Sequence, residues 1–504
     1  MKAAARAYVL ALDQGTTGST ALLLDARGEV RGRGYAELPQ HFPRPGWVEH
    51  DGNEIWASVH AATARALKDA GADGRRIAAI GLTNQRETVL LWDRRTGRPL
   101  APAIVWQDRR TDAACAALRA RGLEPGIRRL TGLRLDPYFS GTKLTWLFRR
   151  HPALRAAAKR GTVAFGTVDT WLLWKLTGGA VHATDPTNAS RTLLFGLRRR
   201  AWDESLLDRF EVPASVLPEV RPSSGDFGRT RGVPGLPDGI PIAGVAGDQQ
   251  AALFGQGCVT AGASKNTYGT GCFLLLHTGA RPVPSRAGLI TTVACGPRGE
   301  AAYALEGSVF VAGAAIQWLR DGLGILRTAA DSEALARSVP DSGGVVLVPA
   351  FVGLGAPHWR ADVRGALFGL TRGTTRAHLA RAALESLAFQ SRDLVAAMEH
   401  DVGRRARELR VDGGAAANDW LMQYQADVLG IPVVRPRVVE TTALGAGLLA
   451  GLGTGFWSAH GDLDRARRVD KVFRPKQPRA WRTAEIARWS AAVRALLAPG
   501  ASRA

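Results

Sequence analysis

Residues 8–24 read YVLALDQGTTGSTALLL, and residues 267–276 read TYGTGCFLLL. Each stretch carries the pattern of a strand, a tight Gly/Thr turn and a second, apolar strand. The same unit near the start of both halves of a 504-residue chain predicts two related α/β domains rather than one oversized core. Around the first unit, Tyr8–Leu12 and Thr20–Leu24 read as strands, Ala26-Arg27-Gly28 turns the chain, and the alternation over Glu29–Leu38 adds a third strand to an antiparallel meander. Asp51-Gly-Asn-Glu54 has the pattern of a capping box. Behind it, Ile55, Val59, Ala62 and Ala66 recur at helical spacing and predict an amphipathic helix ending at Gly71. Strands follow at Ile77–Leu82 and Thr88–Trp92, the second closed by the turn Arg95-Thr-Gly97. This order predicts a mixed sheet. In the second half, Leu289–Ala294 and Leu409–Val411 read as strands, the latter leading through Asp412-Gly-Gly into a helix from Asp419. The boundary is expected near 251–254, giving domains 1–252 and 253–504.

Composition is that of a globular protein, with 46% hydrophobic and 22% charged residues. The formal net charge is +21. The basic residues are scattered singly and in pairs, only Arg198–Arg200 makes a triplet, and no basic run is interleaved with aromatics. Nucleic acid is therefore not the expected partner. A positive field would still help to gather a polyanionic nucleotide. Cys115, Cys258, Cys272 and Cys295 are dispersed without a C-x-x-C, suggesting neither a disulfide framework nor a zinc site. The opening MKAAARAYVLALD lacks the pattern of a signal peptide, and the uncharged Thr441–His460 reads as a tightly packed buried helix rather than a membrane span. A cytoplasmic location is expected.

The chemistry-bearing segments sit at strand ends. In GVAGDQQAALFGQ (244–256) a short strand, Ile240 to Val245, breaks at Gly247 and a helix begins, with Asp248 at the junction. Alone, Asp248 reads as a helix N-cap; beside the glycine turns it reads as a fixed carboxylate suited to base catalysis. Asp13-Gln-Gly-Thr-Thr-Gly-Ser19 and Tyr268-Gly-Thr-Gly271 offer backbone N–H groups and hydroxyls to phosphate, or are ordinary hairpins. Asp13, at a strand end, is suited to Mg²⁺, which keeps much of its hydration and takes one or two carboxylates. Asp412–Asn418 offers bare backbone and an amide to a nucleotide, or is an ordinary strand-to-helix connection. Thr83-Asn-Gln-Arg-Glu87 sets a guanidinium beside a carboxylate, which suits a polyol or makes a surface ion pair. Trp106 and Tyr138 could supply an apolar wall and a hydroxyl, or be core.

Taken together with PRPGWVEHD (43–51), GLTNQRET (81–88), AIVWQDRR (103–110), YFSGTKLTWL (138–147), EGSVFVAGAAIQWLRD (306–321), GALFGLTRGTT (365–375), DGGAAANDWLMQYQAD (412–427) and ETTALGAGLLAGL (440–452), these blocks closely resemble the FGGY carbohydrate-kinase family. NQRET with GWVEHD resembles its glycerol-specific branch rather than those for xylulose, gluconate or ribulose. The resemblance implies an actin/hexokinase/Hsp70-type fold, two ribonuclease-H-like domains with mixed sheets around a cleft. It also implies transfer of the ATP γ-phosphoryl to glycerol, giving sn-glycerol 3-phosphate. It implies Asp248 as base; Arg86, Glu87, Tyr138 and Gln249 on the glycerol hydroxyls; Trp106 and Phe273 as walls; and Asp13 near Mg²⁺. Thr16, Thr17, Gly18, Thr270, Gly313, Gln317, Gly414 and Asn418 would line the nucleotide site, and the chain would form a dimer or tetramer. Thr20 stands where the family often has Arg. Gly228–Pro241 lacks the glycine-lysine loop that binds fructose bisphosphate in some bacterial members, so that inhibition is not expected. Another FGGY substrate and a non-catalytic ATP binder of actin type remain the alternatives, both decided by a substrate panel.

Overall fold

The computed structural model describes residues 7–360, 362–457 and 460–498. The first six residues of the opening segment, and 458–459 of the Thr441–His460 stretch, lie outside them. Two sheets organise the chain. The first has five strands, β1 (Tyr8–Gln14), β2 (Gly18–Leu24), β3 (Val30–Glu37), β4 (Ile77–Asn84) and β5 (Ile242–Gly247), in the order β5-β4-β1-β2-β3. β1, β2 and β3 are antiparallel neighbours, while β4 runs parallel to both β1 and β5. The expected meander is thus present, and its strands match the sequence reading to within a few residues.

The second sheet has seven strands: β6 (Ser264–Tyr268), β7 (Cys272–Gly279), β8 (Ile290–Cys295), β9 (Ala301–Val309), β10 (Leu409–Asp412), β11 (Val433–Pro436) and β12 (Val469–Phe473). Their order is β8-β9-β7-β6-β10-β11-β12. Its first strand repeats the earlier logic, pairing antiparallel with β7 on one side and parallel with β10 on the other. Both halves therefore begin with a hairpin and continue in parallel.

Period-two alternation seats the first sheet between two apolar layers. Leu10 and Leu12 of β1, with Ala21 and Leu23 of β2, join Ile55, Val59 and Ala62 of helix α1 (Gly52–Asp69). Val9, Ala11, Leu22 and Leu24 face the other way, onto helix α7, defined below. α1 ends where expected, but its start differs: Asp51 accepts from the Asn53 amide, and Glu54 pairs with His41 at 2.8 Å instead of returning to the cap. The expected strand Thr88–Trp92 is found as Leu90–Asp93 outside the main sheet, paired with Val163–Gly166, because Val89 has already bridged to Ile104.

The other helices that matter are α2 (Ser140–Arg150), α3 (Asp248–Gly255), α4 (Gly313–Gln317), α5 (Arg376–Val402), α6 (Asp419–Leu429) and α7 (Thr441–Thr454). α3 leads from the first sheet to the second. α7 lies between β11 and β12 of the second sheet in sequence yet packs on the first, so the two helices cross between the halves. Bare backbone permits the crossing: a Cβ on Gly445 would lie 1.9 Å from the Ala251 carbonyl oxygen, and one on Gly255 2.2 Å from that of Thr441. Gly445→Ala should force the helices apart and lower stability by about 1–3 kcal/mol; an unchanged denaturant midpoint would show that the crossing is not tight. Among the described residues no helix is long and apolar enough to cross a membrane, and all four cysteines are buried and free.

Candidate functional site

Asp248 is the first residue of α3, and Gly247 takes the cap position. The N-cap reading is therefore corrected. The Asp248 carboxylate is held by the Gln249 amide at 2.6 Å and pairs with Arg86 Nε at 2.9 Å, its side chain remaining 28% exposed. Gly247 is bare because a Cβ there would meet the Arg86 side chain at 2.7 Å. Its amide donates to Thr187 Oγ1 at 2.8 Å, tying the strand end down.

Arg86 and Glu87 do not form the surface ion pair that adjacency allows. Both are buried, at 2% and 1% side-chain exposure, and their charged atoms come no closer than 4.0 Å. Arg86 instead grips Glu306 of β9 with two N–H groups, at 2.6 and 3.1 Å, and donates to Gln250 Oε1 at 3.1 Å and the Tyr138 hydroxyl at 3.4 Å. Glu87 accepts from Arg191 Nε at 2.6 Å, and Arg191 reaches Glu306 at 3.0 Å. Two guanidiniums thus face two carboxylates in a sealed network, with Arg86, Glu87 and Arg191 from the first half and Glu306 from the second sheet. Burial opposes ionisation of Glu306, but the Arg191 and Arg86 charges prevail and hold its carboxyl down at about 2. At Glu87 burial prevails, and its carboxyl is pushed up. Glu87 also has φ +63°, a conformation that costs a non-glycine residue of order 1–3 kcal/mol and concentrates at functional sites. Ser140 Oγ, at the start of α2, holds its carbonyl at 2.9 Å.

Asp13 is the last residue but one of β1, beside Thr83 of β4. Burial, with the charge of Asp248 added, raises its carboxyl to about 7. No group of three or more His, Cys, Asp or Glu side chains suited to a metal gathers among the described residues. The Asp13–Asp248 couple is the donor set that remains. That chemistry fits a hydrated Mg²⁺ shared with substrate phosphates.

Aromatic rings from both halves meet here. Trp106 lies edge-on to Tyr138 at 5.5 Å and to Phe273 of β7 at 6.4 Å, and its indole donates to Thr16 Oγ1 at 2.8 Å. Thr16 therefore serves at least partly to orient Trp106. Gly18 is packed against β3, where a Cβ would collide with Tyr35 and Ala36, so its bareness answers to strand packing rather than to phosphate. Thr17 is exposed at the turn.

In the second half, exposed Thr270 tops the hairpin, and its carbonyl accepts from Ala312 and Ala314 at 2.8 and 3.1 Å. Gly313, opening α4, donates to the Gly269 carbonyl at 3.0 Å; Gln317 closes that helix, exposed. Gly413 has φ +84° and packs against the Tyr268 carbonyl, whereas Gly414 has open space above it. Only the second of the two glycines thus offers free backbone. Asn418 spends its Oδ1 on capping α6, accepting from Leu421 at 2.9 Å.

Sequence reading missed Glu306, Arg191, Gln250 and Lys265. Glu306 had a signal, a lone carboxylate inside the uncharged run Ala301–Val309, since a buried charge demands partners. Arg191 had none, because its partners lie 104 and 115 residues away.

The FGGY family of carbohydrate kinases matches with its N-terminal domain over residues 8–255 and its C-terminal domain over residues 264–454. A glycerol kinase of Myxococcus xanthus is 58% identical over 96% of this chain and 98% of its own length. One of Aromatoleum aromaticum is 59% identical over the same shares. The crystal structure of Plasmodium falciparum glycerol kinase with ADP superposes with a TM-score of 0.90 at 36% identity, over 97% of this chain and 98% of that one.

Proposed function

We infer the activity from one premise: the chain belongs to the FGGY family of carbohydrate kinases, and its near relatives are glycerol kinases. The chain phosphorylates glycerol at the expense of ATP. The product in this reading is sn-glycerol 3-phosphate, and the role is glycerol catabolism. The observation that supports the mechanism is a partly exposed carboxylate, Asp248, fixed by Arg86 and by a helix start, beside an ion network built from both halves.

In the mechanism, Asp248 accepts the proton of the attacking hydroxyl. Arg86, Glu87, Tyr138 and Gln249 bond the hydroxyls of the triol, and Trp106 with Phe273 walls its carbon face. The Gly/Thr turns, through Thr16, Thr17, Gly18 and Thr270, together with Gly313, Gln317, Gly414 and Asn418, hold the nucleotide. Asp13, with Asp248 in reach, would hold Mg²⁺, which neutralises charge on the phosphates when bound. Phosphoryl transfer asks mainly for alignment and charge compensation, since its transition state is loose. The sealed ion network supplies alignment, because Arg86 and Glu87 are fixed before substrate arrives. Residues 1–252 would carry the glycerol side and 253–504 the nucleotide side, closing on each other as ligands bind and shielding ATP from water. The reading includes a cytoplasmic dimer or tetramer, which light scattering on the purified chain would check.

An assay of ADP release with glycerol, with and without Mg²⁺, tests the whole. Mg²⁺-dependent turnover is expected, with little ATP hydrolysis when glycerol is absent. A higher kcat/KM on xylulose or ribulose than on glycerol would reassign the substrate. Glu87→Ala should raise KM for glycerol about ten- to hundredfold, the worth of a hydrogen bond to a charged group, while leaving KM for ATP nearly unchanged. Equal rises for both substrates would remove Glu87 from the glycerol site.

A further inference from the structure

Lys265, on β6, is fully buried, and among the described residues it forms no ion pair. Its ammonium donates to two neutral oxygens, Gln249 Oε1 at 2.5 Å and Thr267 Oγ1 at 2.7 Å. Asp412, a charge that attracts it, is engaged elsewhere: Gln256 Nε2 and Thr441 Oγ1 both donate to Asp412 Oδ2. Burial accordingly lowers the lysine's pKa in spite of Asp412 and Asp248. A buried ammonium is costly, so its donors must be satisfied, and here a glutamine amide satisfies one of them across the junction between the halves.

The chemistry of the pair fixes an orientation. An ammonium only donates, whereas an amide has one accepting oxygen and one donating NH₂ group. With Oε1 turned to Lys265, the Nε2 end of Gln249 is directed elsewhere. Its chain neighbour is Asp248, whose carboxylate accepts from the Gln249 backbone amide. We propose that Lys265 is a positioning residue that sets the polarity of the Gln249 amide, holding its oxygen inward so that its N–H groups meet an oxygen of the polyol. This rests on the reading of Gln249 as a glycerol-binding residue. The subsite then recognises an accepting oxygen. The lysine, contributed by the second sheet, completes a substrate contact carried by a helix of the first half's crossing.

A double-mutant cycle separates this role from general support of the fold. Lys265→Met removes the donor while nearly keeping the length. It should raise KM for glycerol about tenfold, leave KM for ATP within about twofold and change kcat little. On a Gln249→Met background the same change should add nothing. Additive effects in the cycle, or an equal rise in KM for ATP, would overturn the proposal. If Lys265→Met does not fold, Gln249→Glu decides: its carboxylate satisfies the lysine but has no N–H to give. It should fold and yet raise KM for glycerol as Gln249→Met does; a wild-type KM in that variant would refute the role. Absence of glycerol turnover in the unmodified enzyme would sink the underlying activity instead, whereas normal turnover with an additive cycle sinks only the claim about amide polarity.

Discussion

Asp248→Asn is expected to lower kcat by about 10²–10⁴, the usual contribution of a general base, which amounts to about 3–5 kcal/mol of transition-state stabilisation. KM for glycerol should change little. The reason is the arrangement around Arg86. Loss of the Asp248 charge leaves the two bonds from Arg86 to Glu306 intact, so the guanidinium stays where it is. The amide oxygen of the variant still accepts from the Gln249 backbone, as the carboxylate does now. What disappears is the ability to take a proton from the attacking hydroxyl. The carboxyl of Asp13 should also ionise more readily, since the neighbouring charge is one of the two causes holding it near 7. Steady-state kinetics across pH would report both effects. Turnover close to wild type would exclude Asp248 as the base, and a large rise in KM with intact kcat would make it a binding group only.

What was legible in the sequence was local. The two glycine turns with their flanking strands are written within a dozen or so residues each, so strand, turn and strand could be read directly, and both hairpins are present. The strand-to-helix junction at Asp248 was legible for the same reason. Local reading failed where a non-local partner competed. Glu54 left the capping box for His41, Val89 left its strand to bridge Ile104, and Gly247 and Gly413 proved bare because Arg86 and the Tyr268 carbonyl press against them. The apolar character of Thr441–Thr454 on all sides announced a buried helix but not that it would lie on the first sheet. The ion network was the least legible part, since charge balance among Arg86, Glu87, Arg191 and Glu306 exists only after both halves come together.

That network leads to the second large effect, on stability. Glu306→Gln removes the carboxylate that the two buried guanidiniums share, leaving Arg86 with Asp248 and Arg191 with Glu87. The new amide can accept from one guanidinium, but its own NH₂ group confronts donors. Breaking one partner of a buried ionic cluster costs about 3–5 kcal/mol, and the denaturant midpoint at pH 7 should fall accordingly. The pH dependence has a definite sign. Glu306 titrates at about 2 in the folded protein against an ordinary 4.5, so the folded state favours its ionised form. A depressed carboxyl contributes its stability in full above the unfolded value and loses it as pH falls toward the folded one, here about 3 kcal/mol between pH 4.5 and 2. The gap between wild type and Glu306→Gln should therefore be widest above pH 4.5 and shrink below it. A gap that stays constant across that window would mean the carboxylate is not ionised against the two arginines. An unchanged midpoint at pH 7 would mean that the two halves are not held together through it.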